Sequence, residues 1–274
     1  MPELPEAETM ARELAAKTLG WKIAEVLVNF APIVASDWQS FTDLLTGREI
    51  ELVKRIGKWI HFVLTQDHHL LIHLKMTGQF HFDAWPSSEW PSHCHAAFRL
   101  THQSQEQTLF YKDTRKFGRL RAFGPGQLEI FLNHLNLGPD ALLASAKDYH
   151  ERLVNTKGKL KAVLLDQTVL AGFGNIYADE SLFAAKLSPL REAKTLTLEE
   201  VKNLHGQAQR ILKKAIDCRG STVSSYQAPE GAGSYQDHHK AYGKAGQPCP
   251  HCGQVLVKTV VAGRSTVFCP KCQK

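Results

Sequence analysis

Four cysteines near the end of the chain constrain its fold more than any other sequence feature. They are Cys249, Cys252, Cys269 and Cys272, in the pattern C-x2-C-x16-C-x2-C. Each pair can present two thiolates from one tight turn, and the residues between the pairs suffice for a β-hairpin. Four thiolates around a tetrahedral Zn²⁺ form a closed site with no coordination position left for catalysis. The pattern predicts one structural zinc, with a redox C-x-x-C pair or surface disulfides as the alternatives.

The residues around these cysteines are strongly basic. After Asp237 the sequence has no acidic residue, but it has Lys240, Lys244, Lys258, Arg264, Lys271 and Lys274. The formal net charge of the whole chain is +6. This balance favours a polyanionic partner such as nucleic acid. Arg264, in "VAGRST", lies where the tip of a hairpin is expected, and from there it can reach phosphates or enter a groove.

Length and composition exclude several classes of protein. The 274 residues, of which 43% are hydrophobic, are enough for one large domain or two ordinary ones with a packed core. The first twenty residues contain several glutamates and no apolar segment, so a secretory signal is not expected. No stretch approaches the roughly 18 apolar residues of a membrane span. We expect a cytoplasmic protein, in which Cys94 and Cys218 are unpaired packing residues.

The hydrophobic pattern differs between the two halves of the chain. A short helix is predicted over residues 5–19, where apolar side chains recur at helical spacing before Gly20. Over residues 23–123, short apolar or alternating runs are separated by Gly, Asp, Pro and Ser. That pattern is typical of an antiparallel sandwich or barrel. After residues 124–127 the period becomes helical, and a domain boundary is predicted near 130–150.

The helical half has three recognisable segments. Residues 158–170 are rich in Leu, Val and Lys and are predicted to be helical until "GFGN" interrupts them. Thr197 and Glu200 form a capping box ahead of a long helix with one apolar face. Residues 219–247 are rich in Gly, Ser, Gln and Tyr without a clear period, which is typical of a functional or mobile loop.

The segment "LLDQTVLAGFGNIYADESLF" joins two apolar helical stretches through Gly172, Gly174 and Asn175. Asparagine is a favoured N-cap, and the backbone N–H groups at a helix start bind anions. A helix–turn–helix with glycines in its turn can therefore hold a DNA phosphate without reading a base. The alternative is that the Gly–Asn pair only caps a helix.

The chain begins "MPELPEAE", which places Pro2 beside Glu3 and Glu6. Removal of the initiator methionine would expose a secondary amine whose reference pKa is near ~8. The neutral amine is a nucleophile that forms an iminium with an aldehyde or acetal carbon. A neighbouring carboxylic acid can protonate a leaving group or a sugar ring oxygen. The alternative is that Pro2 only starts a helix, whose dipole the glutamates complement.

Several short motifs follow one another in a distinctive order along the chain. They are "PELPEAE", "RIGKW", "HLKMTGQF", "DTRKFG", "GNIYADE", "RGSTVSSY" and the cysteine segment that begins "YGKAGQPCPHCG". In this order, and over nearly the whole chain, the sequence resembles the bacterial formamidopyrimidine-DNA glycosylase family. The resemblance implies an α+β multidomain fold. A β-sandwich domain with a catalytic N-terminal helix (1–132) would precede a helix–two-turn–helix domain with a lesion-capping loop (133–238) and a four-cysteine zinc finger (239–274).

The resemblance implies a bifunctional glycosylase and AP lyase that removes oxidised purines, such as 8-oxoguanine and formamidopyrimidines, from damaged double-stranded DNA. Pro2 would attack C1′, the base would depart, and the resulting Schiff base would lead to β- and δ-elimination. Glu3 would be the general acid at the ring oxygen, and Glu6 would support the site. Lys58 would lie beside the lesion phosphate and base. Zinc would be the one cofactor, and the enzyme would act as a monomer.

The resemblance also implies a set of DNA contacts. The lesion must leave the helix before the amine can reach C1′, and other side chains must fill the gap. Met76, Arg115 and Phe117 match the family's void-filling residues, with Arg115 bonded to the orphaned cytosine. Further DNA contacts are implied for His73, Lys161, Asn175 and Arg264. Residues 219–238 correspond to a flexible cap over the flipped base.

Two other functions fit parts of the sequence. The related endonuclease VIII branch prefers oxidised pyrimidines, but it usually begins "PEGPE", whereas this chain has Leu4. The arginine–phenylalanine loop is also of the purine type. A non-catalytic zinc-ribbon protein that only binds nucleic acid would not need the amine of Pro2. The chemistry of the N-terminus therefore separates these hypotheses.

Overall fold

The computed structural model describes residues 2–35, 37–85, 90–223 and 226–274. The chain forms two compact units, Met1–His134 with Arg219–Gly233, and Leu135–Cys218 with Ser234–Lys274. Within the described ranges, no helix is long and apolar enough to cross a bilayer.

The first unit is a β-sandwich that carries the N-terminal helix, as the sequence predicts. Its helices are α1 (Leu4–Thr18), α2 (Trp38–Leu45) and α3 (Gln127–Leu135). Its strands are β1 (Lys22–Val28), β2 (Ile50–Ile56), β3 (Trp59–Leu64), β4 (His68–His73), β5 (Gly78–Asp83), β6 (Cys94–His102), β7 (Gln105–Asp113) and β8 (Arg119–Phe123). They form two four-stranded antiparallel sheets in the orders β1-β6-β7-β5 and β2-β3-β4-β8.

The core of this unit explains the position of α1. Met10 and Leu14 recur at helical spacing, and both are completely buried in one cluster with side chains of both sheets, such as Phe62 and Phe98. A side chain of this size contributes about 1.5–3 kcal/mol when it is fully buried. The apolar face of α1 therefore fixes the helix against the sheets, and with it the position of the chain's start.

The second unit contains helices and a small hairpin. Its elements are α4 (Ala146–Val154), α5 (Leu160–Leu165), α6 (Asn175–Ala185), α7 (Leu198–Asp217), β9 (Val257–Val261) and β10 (Arg264–Phe268). The capping box of Thr197 and Glu200 is present at the start of α7, as predicted. A 3₁₀ helix at Tyr235–His238 lies within the segment that was predicted to be a loop.

Two local predictions in this unit were wrong. The helix predicted over 158–170 ends at Leu165, because the Asp166 side chain accepts the N–H and hydroxyl of Thr168 at 2.9 and 2.7 Å and forms a turn instead. The N-cap of α6 is Gly174 rather than Asn175, which is the first helical residue. Asn175 therefore lies in the first turn of α6, one residue after the N-cap.

The observed units differ from the predicted domain ranges in one segment. Residues 219–233 belong to the first unit, although the sequence assigned them to the helical domain over 133–238. The reason is a pair of hydrogen bonds to α1, since the Ser221 N–H donates to Glu6 Oε1 at 2.7 Å and the Tyr226 hydroxyl donates to the Glu6 carbonyl at 3.2 Å. The predicted zinc finger, residues 239–274, shares the second unit with the helices.

Candidate active site and zinc module

The start of α1 gathers the acidic residues that the sequence singled out. Pro2, Glu3 and Glu6 are all buried, and Glu3 and Glu6 expose only 2% and 1% of their surface. The Glu3 N–H donates to Glu6 Oε2 at 2.8 Å, which forms a capping box at the first turn. The carboxylates are therefore held beside the backbone of the residue that follows Pro2.

The other oxygen of Glu6 holds the segment that begins at Arg219. Glu6 Oε1 accepts the Ser221 N–H at 2.7 Å. Gly220 has a φ of +79°, and a Cβ on it would lie 2.7 Å from Glu6 Oε1, so this position requires glycine. Arg219 adds an ion pair with Glu13 of α1 at 2.8 Å. Ser224 and Ser225, within the predicted cap, lie outside the described residues.

Lys58 directly precedes β3, and His73 lies at the end of β4, the neighbouring strand of the same sheet. Lys58 follows Gly57 in the β2–β3 turn and is 9% exposed, and His73 pairs with Trp59 across β3 and β4. Burial, with Lys75 and Lys58 nearby, lowers the pKa of His73 to about 3, so its imidazole is neutral. Its Nδ1 accepts the Lys75 N–H at 3.0 Å, which leaves the proton on Nε2 as a donor.

Asp113 joins the two loops that carry Met76, Arg115 and Phe117. Gly78, the first residue of β5, pairs with Asp113, the last residue of β7. The end of the loop before β5 therefore lies beside the start of the loop after β7. The buried Asp113 carboxylate accepts the Thr77 hydroxyl, the Arg115 N–H at 3.2 Å and the Gly118 N–H at 2.7 Å.

The side chains of these loops face solvent to different degrees. Phe117 is 49% exposed although it is a large apolar residue, and Met76 is half-buried. The exposed Arg115 guanidinium lies over the Phe117 ring at 4.7 Å from its centroid. An exposed aromatic ring and a cation on one tight loop are suited to contact with a stacked base. Neither Met76 nor Phe117 is a fully buried core residue.

The cysteines of the second unit fit a zinc ion. Cys249, Cys252, Cys269 and Cys272 have Sγ atoms that all lie within 4.8 Å of one another. The Cys249–Cys272 and Cys252–Cys269 Sγ distances are 3.9 and 3.6 Å. Tetrahedral coordination at a Zn–S distance of about 2.3 Å requires Sγ atoms about 3.8 Å apart. The four thiolates would close the coordination shell, which makes the site structural.

Arg264 and Lys161 have different environments in this unit. Arg264 is exposed at the start of β10, directly after the turn at Ala262 and Gly263. The Lys161 ammonium is completely buried, where it pairs with Asp179 at 2.7 Å and donates to the Ser265 carbonyl at 2.8 Å. This burial argues against the predicted phosphate contact of Lys161. We interpret Lys161 instead as a residue that anchors the strand bearing Arg264.

Comparison with known proteins decides the family. The chain matches "Formamidopyrimidine-DNA glycosylase N-terminal domain" over residues 1–120, "Formamidopyrimidine-DNA glycosylase H2TH domain" over 137–227 and "Zinc finger found in FPG and IleRS" over 246–274. It is 41% identical to the formamidopyrimidine-DNA glycosylase of Streptococcus pyogenes serotype M6 and 40% identical to that of Bacillus cereus. Both alignments cover 100% of this chain and 99% of the relative. The chain belongs to the formamidopyrimidine-DNA glycosylase family.

Solved structures agree with this membership. A complex between the Lactococcus lactis Fpg and an abasic site containing DNA has a TM-score of 0.91, with 34% identity and 100% coverage of both chains. A Lactococcus lactis FPG mutant in complex with a Fapy-dG containing DNA gives the same values. The multidomain fold and the single structural zinc predicted from the sequence are thus confirmed.

Formamidopyrimidine-DNA glycosylase motifs also contain residues whose role the sequence did not reveal. Asp179 and Glu180 of "GNIYADE" are buried. Asp179 accepts the Val267 N–H of β10 at 3.2 Å, and burial raises the pKa of Asp179 to about 7. Glu180 accepts three successive N–H groups, from Lys240 to Tyr242, at 2.8–3.1 Å. Two adjacent acidic residues inside an apolar helical pattern were the signal that could have identified these anchors.

Proposed function

We propose that this protein is a DNA base-excision-repair glycosylase and AP lyase that removes oxidised purines from duplex DNA with Pro2 as its nucleophile. The observation that carries this proposal is the buried pair of carboxylates, Glu3 and Glu6, at the start of a helix that begins directly after Pro2. Family relatives are formamidopyrimidine-DNA glycosylases, and solved relatives contain abasic or Fapy-dG DNA. Both observations favour chemistry at a damaged deoxynucleotide.

The proposed reaction begins after Met1 has been removed. The neutral Pro2 nitrogen attacks C1′, the bond from C1′ to the damaged base breaks, and the base leaves with a proton. Glu3 protonates the ring oxygen, the C1′–O4′ bond opens, and an iminium forms between Pro2 and C1′. Loss of a C2′ proton then expels the 3′ phosphate, and a second elimination expels the 5′ phosphate. Glu6 orients the chain end through the Glu3 N–H.

The proposed DNA contacts follow from the environment of each side chain. Lys58 supplies a cation, and neutral His73 supplies an Nε2–H donor for a phosphate. Met76, Arg115 and Phe117 fill the gap that the flipped nucleotide leaves. Asn175 and Arg264 contact phosphates from the start of α6 and from the hairpin.

The remaining parts of the proposal concern the protein as a whole. We expect a monomer in the bacterial cytoplasm that uses zinc but no small-molecule cofactor. The sandwich of residues 1–132 carries the chemistry. The helical domain of 133–238 binds DNA through the start of α6, and the zinc finger of 239–274 binds it through its hairpin. Residues 219–238 cover the flipped base.

Trapping with borohydride tests the nucleophile. The wild-type protein, shown by intact mass to lack Met1, is expected to form a covalent adduct with an 8-oxoguanine duplex, while Pro2→Gly reduces the adduct at least about 100-fold. Glu3→Gln should block base excision but weaken cleavage of a preformed abasic site less. Undiminished trapping after the N-terminal amine has been blocked would instead assign the nucleophile to a lysine, with Lys58 the first candidate.

A parallel assay with a thymine-glycol duplex tests the lesion class. Preferential cleavage of the 8-oxoguanine duplex is expected because the exposed loop has the Arg115–Phe117 pair. A clear preference for thymine glycol would favour an endonuclease VIII-like enzyme, and absence of any adduct would favour a protein that only binds nucleic acid.

A further inference from the structure

A cavity of about 620 Å³ lies within the second unit. It is lined by residues of α6, α7, the 3₁₀ helix and the zinc finger (residues 239–274). Among them are Arg210, Lys214, Tyr235, His238, Lys240 and His251. None of the residues assigned above to zinc, lesion or phosphate contacts lines it. The proposed reaction therefore leaves this cavity without a role.

The charge of the cavity is positive. Arg210, Lys214 and Lys240 are exposed cations on its walls. Glu180 is the one acidic residue among the described lining residues, and it is buried and already accepts three backbone N–H groups. Burial also raises the pKa of Glu180. A pocket with three cations and one internally bonded carboxylate attracts anions.

The cations on α7 are arranged to bind a phosphate group. Gln207 Oε1 accepts from Arg210 Nη2 at 2.9 Å and from Nε at 3.3 Å, which orients the guanidinium. Lys214 lies four residues after Arg210, on the same face of the helix. A planar guanidinium forms bidentate hydrogen bonds with phosphate, and a neighbouring ammonium adds a point charge.

Aromatic rings form another part of the wall. His251 stacks on Phe183 with a centroid distance of 5.2 Å and an interplanar angle of 23°. The His238 ring lies 5.7 Å from the Tyr235 ring. Because His238 and His251 are exposed, the ring faces that do not contact Tyr235 or Phe183 are available to a planar ligand. Aromatic faces beside cations are the combination that binds a nucleobase and its phosphate together.

We propose that this cavity is a second nucleotide site, in which Arg210, Lys214 and Lys240 bind a phosphate and the histidine rings contact a base. The phosphate belongs either to a free nucleotide or to a nucleotide of a single strand, since both present the same chemistry. The site is independent of lesion excision.

The test is a calorimetric titration of dGMP into the full-length, zinc-bound protein at low salt. The double variant Arg210→Gln/Lys214→Gln is expected to bind dGMP about tenfold more weakly or worse, because it loses charged hydrogen bonds to the phosphate. The matched control is Lys202→Gln/Lys213→Gln, which removes the same charge from exposed positions of α7 outside the cavity and should bind as the wild type does. Cleavage of a short 8-oxoguanine duplex should be unchanged in both.

Competition identifies the source of the phosphate. Displacement of dGMP by a single-stranded oligonucleotide would support the site with a nucleic-acid strand as its ligand, and persistence of dGMP would support it with a free nucleotide. Wild-type affinity in the cavity variant, or equal loss in the control, would overturn the proposal. So would a parallel loss of lesion cleavage, because the cavity would then belong to the reaction. These outcomes do not depend on Pro2 being the nucleophile.

Discussion

Both units bury carboxylates that accept backbone N–H groups, but these carboxylates hold different parts of the molecule. In the first unit, Glu6 accepts the N–H groups of Glu3 and Ser221, so it joins the chain start to the segment that follows Arg219. In the second unit, Glu180 accepts N–H groups from Lys240 to Tyr242, at the entrance to the zinc module. The chemistry of the acceptors is the same, and only the groups beside them differ.

This difference shows that a titratable group can be buried for structural reasons as well as for catalysis. A buried carboxylate is costly unless hydrogen bonds or a cation compensate for lost water, and Glu6, Asp179 and Glu180 all have such partners. Glu6 also holds the backbone of the residue that follows the candidate nucleophile Pro2, whereas Asp179 holds Lys161 and β10, and Glu180 holds the backbone of residues 240–242. Burial alone therefore does not mark a reacting group, and the chemistry of the neighbouring group decides.

Zinc removal should have the largest effect, because the hairpin of the second unit should lose its structure while the sandwich of the first unit stays folded. Chelation leaves four thiolates without their ion, and the basic hairpin that carries Arg264 should lose its structure. We expect DNA affinity to fall at least about 100-fold, because the Arg264 contact and the folded cluster of positive charge around it are lost together, while the circular-dichroism signal of the sandwich remains. Fluorescence anisotropy with a labelled abasic duplex measures the affinity, and zinc addition is the control. Unchanged affinity after chelation would contradict a DNA-binding role for the module.

Glu6→Gln should separate chemistry from binding in the first unit. An amide cannot accept from both the Glu3 and Ser221 N–H groups with the same strength, so the amine should lose its orientation. Single-turnover excision is expected to fall at least about 100-fold with abasic-duplex affinity nearly unchanged. Glu13→Gln, which removes the ion pair with Arg219 further along α1, is the matched control and should reduce the rate much less. An equal loss in both variants would assign Glu6 a purely structural role.

Asp179→Asn should weaken DNA binding and leave the excision rate unchanged, which is the opposite of the result expected for Glu6→Gln. The substitution leaves the Lys161 ammonium buried without its ion pair, which typically costs about 3–5 kcal/mol of unfolding free energy. Urea denaturation should show this loss, and the double variant Asp179→Leu/Lys161→Met should recover most of it. DNA affinity should weaken because Arg264 loses its support, whereas the excision rate at saturating protein should be preserved. A lower excision rate at saturation would show that the two units do not divide the work in this way.

The sequence predicted the parts of the structure that depend on local pattern. The cysteine spacing identified the zinc site, the apolar period of α1 identified its buried face, and Thr197 with Glu200 marked the start of α7. Each of these features is encoded within a few residues. The end of α5 was misplaced because the side chain of Asp166 competes with the helix for backbone hydrogen bonds, which a hydrophobic period does not register.

Contacts between residues that are far apart along the chain could not be predicted from the sequence. Glu6 and Ser221 are far apart along the chain, so nothing local assigned residues 219–233 to the first unit. The family resemblance implied that Lys161 contacts DNA, and only its pairing with Asp179 revealed a buried anchor. The sequence did not predict the role of Asp113 either. Its three donors belong to two loops that come together only because β5 pairs with β7.

Thr77→Val should produce the smallest effect and tests whether the two void-filling loops act together. Valine keeps the shape of threonine but removes the hydroxyl that donates to Asp113 and accepts the Arg115 N–H at 3.0 Å. The loss of one or two hydrogen bonds of about 1 kcal/mol each predicts a roughly fivefold to thirtyfold slower excision of 8-oxoguanine opposite cytosine. Thr108→Val, at a buried position within β7 and away from both loops, is the control for the lost hydroxyl. Cleavage of a preformed abasic site should be less affected, because no intact base then has to be extruded. If Thr77→Val slows both substrates equally, the loops do not act through Asp113, and Met76 and Arg115 must be positioned independently.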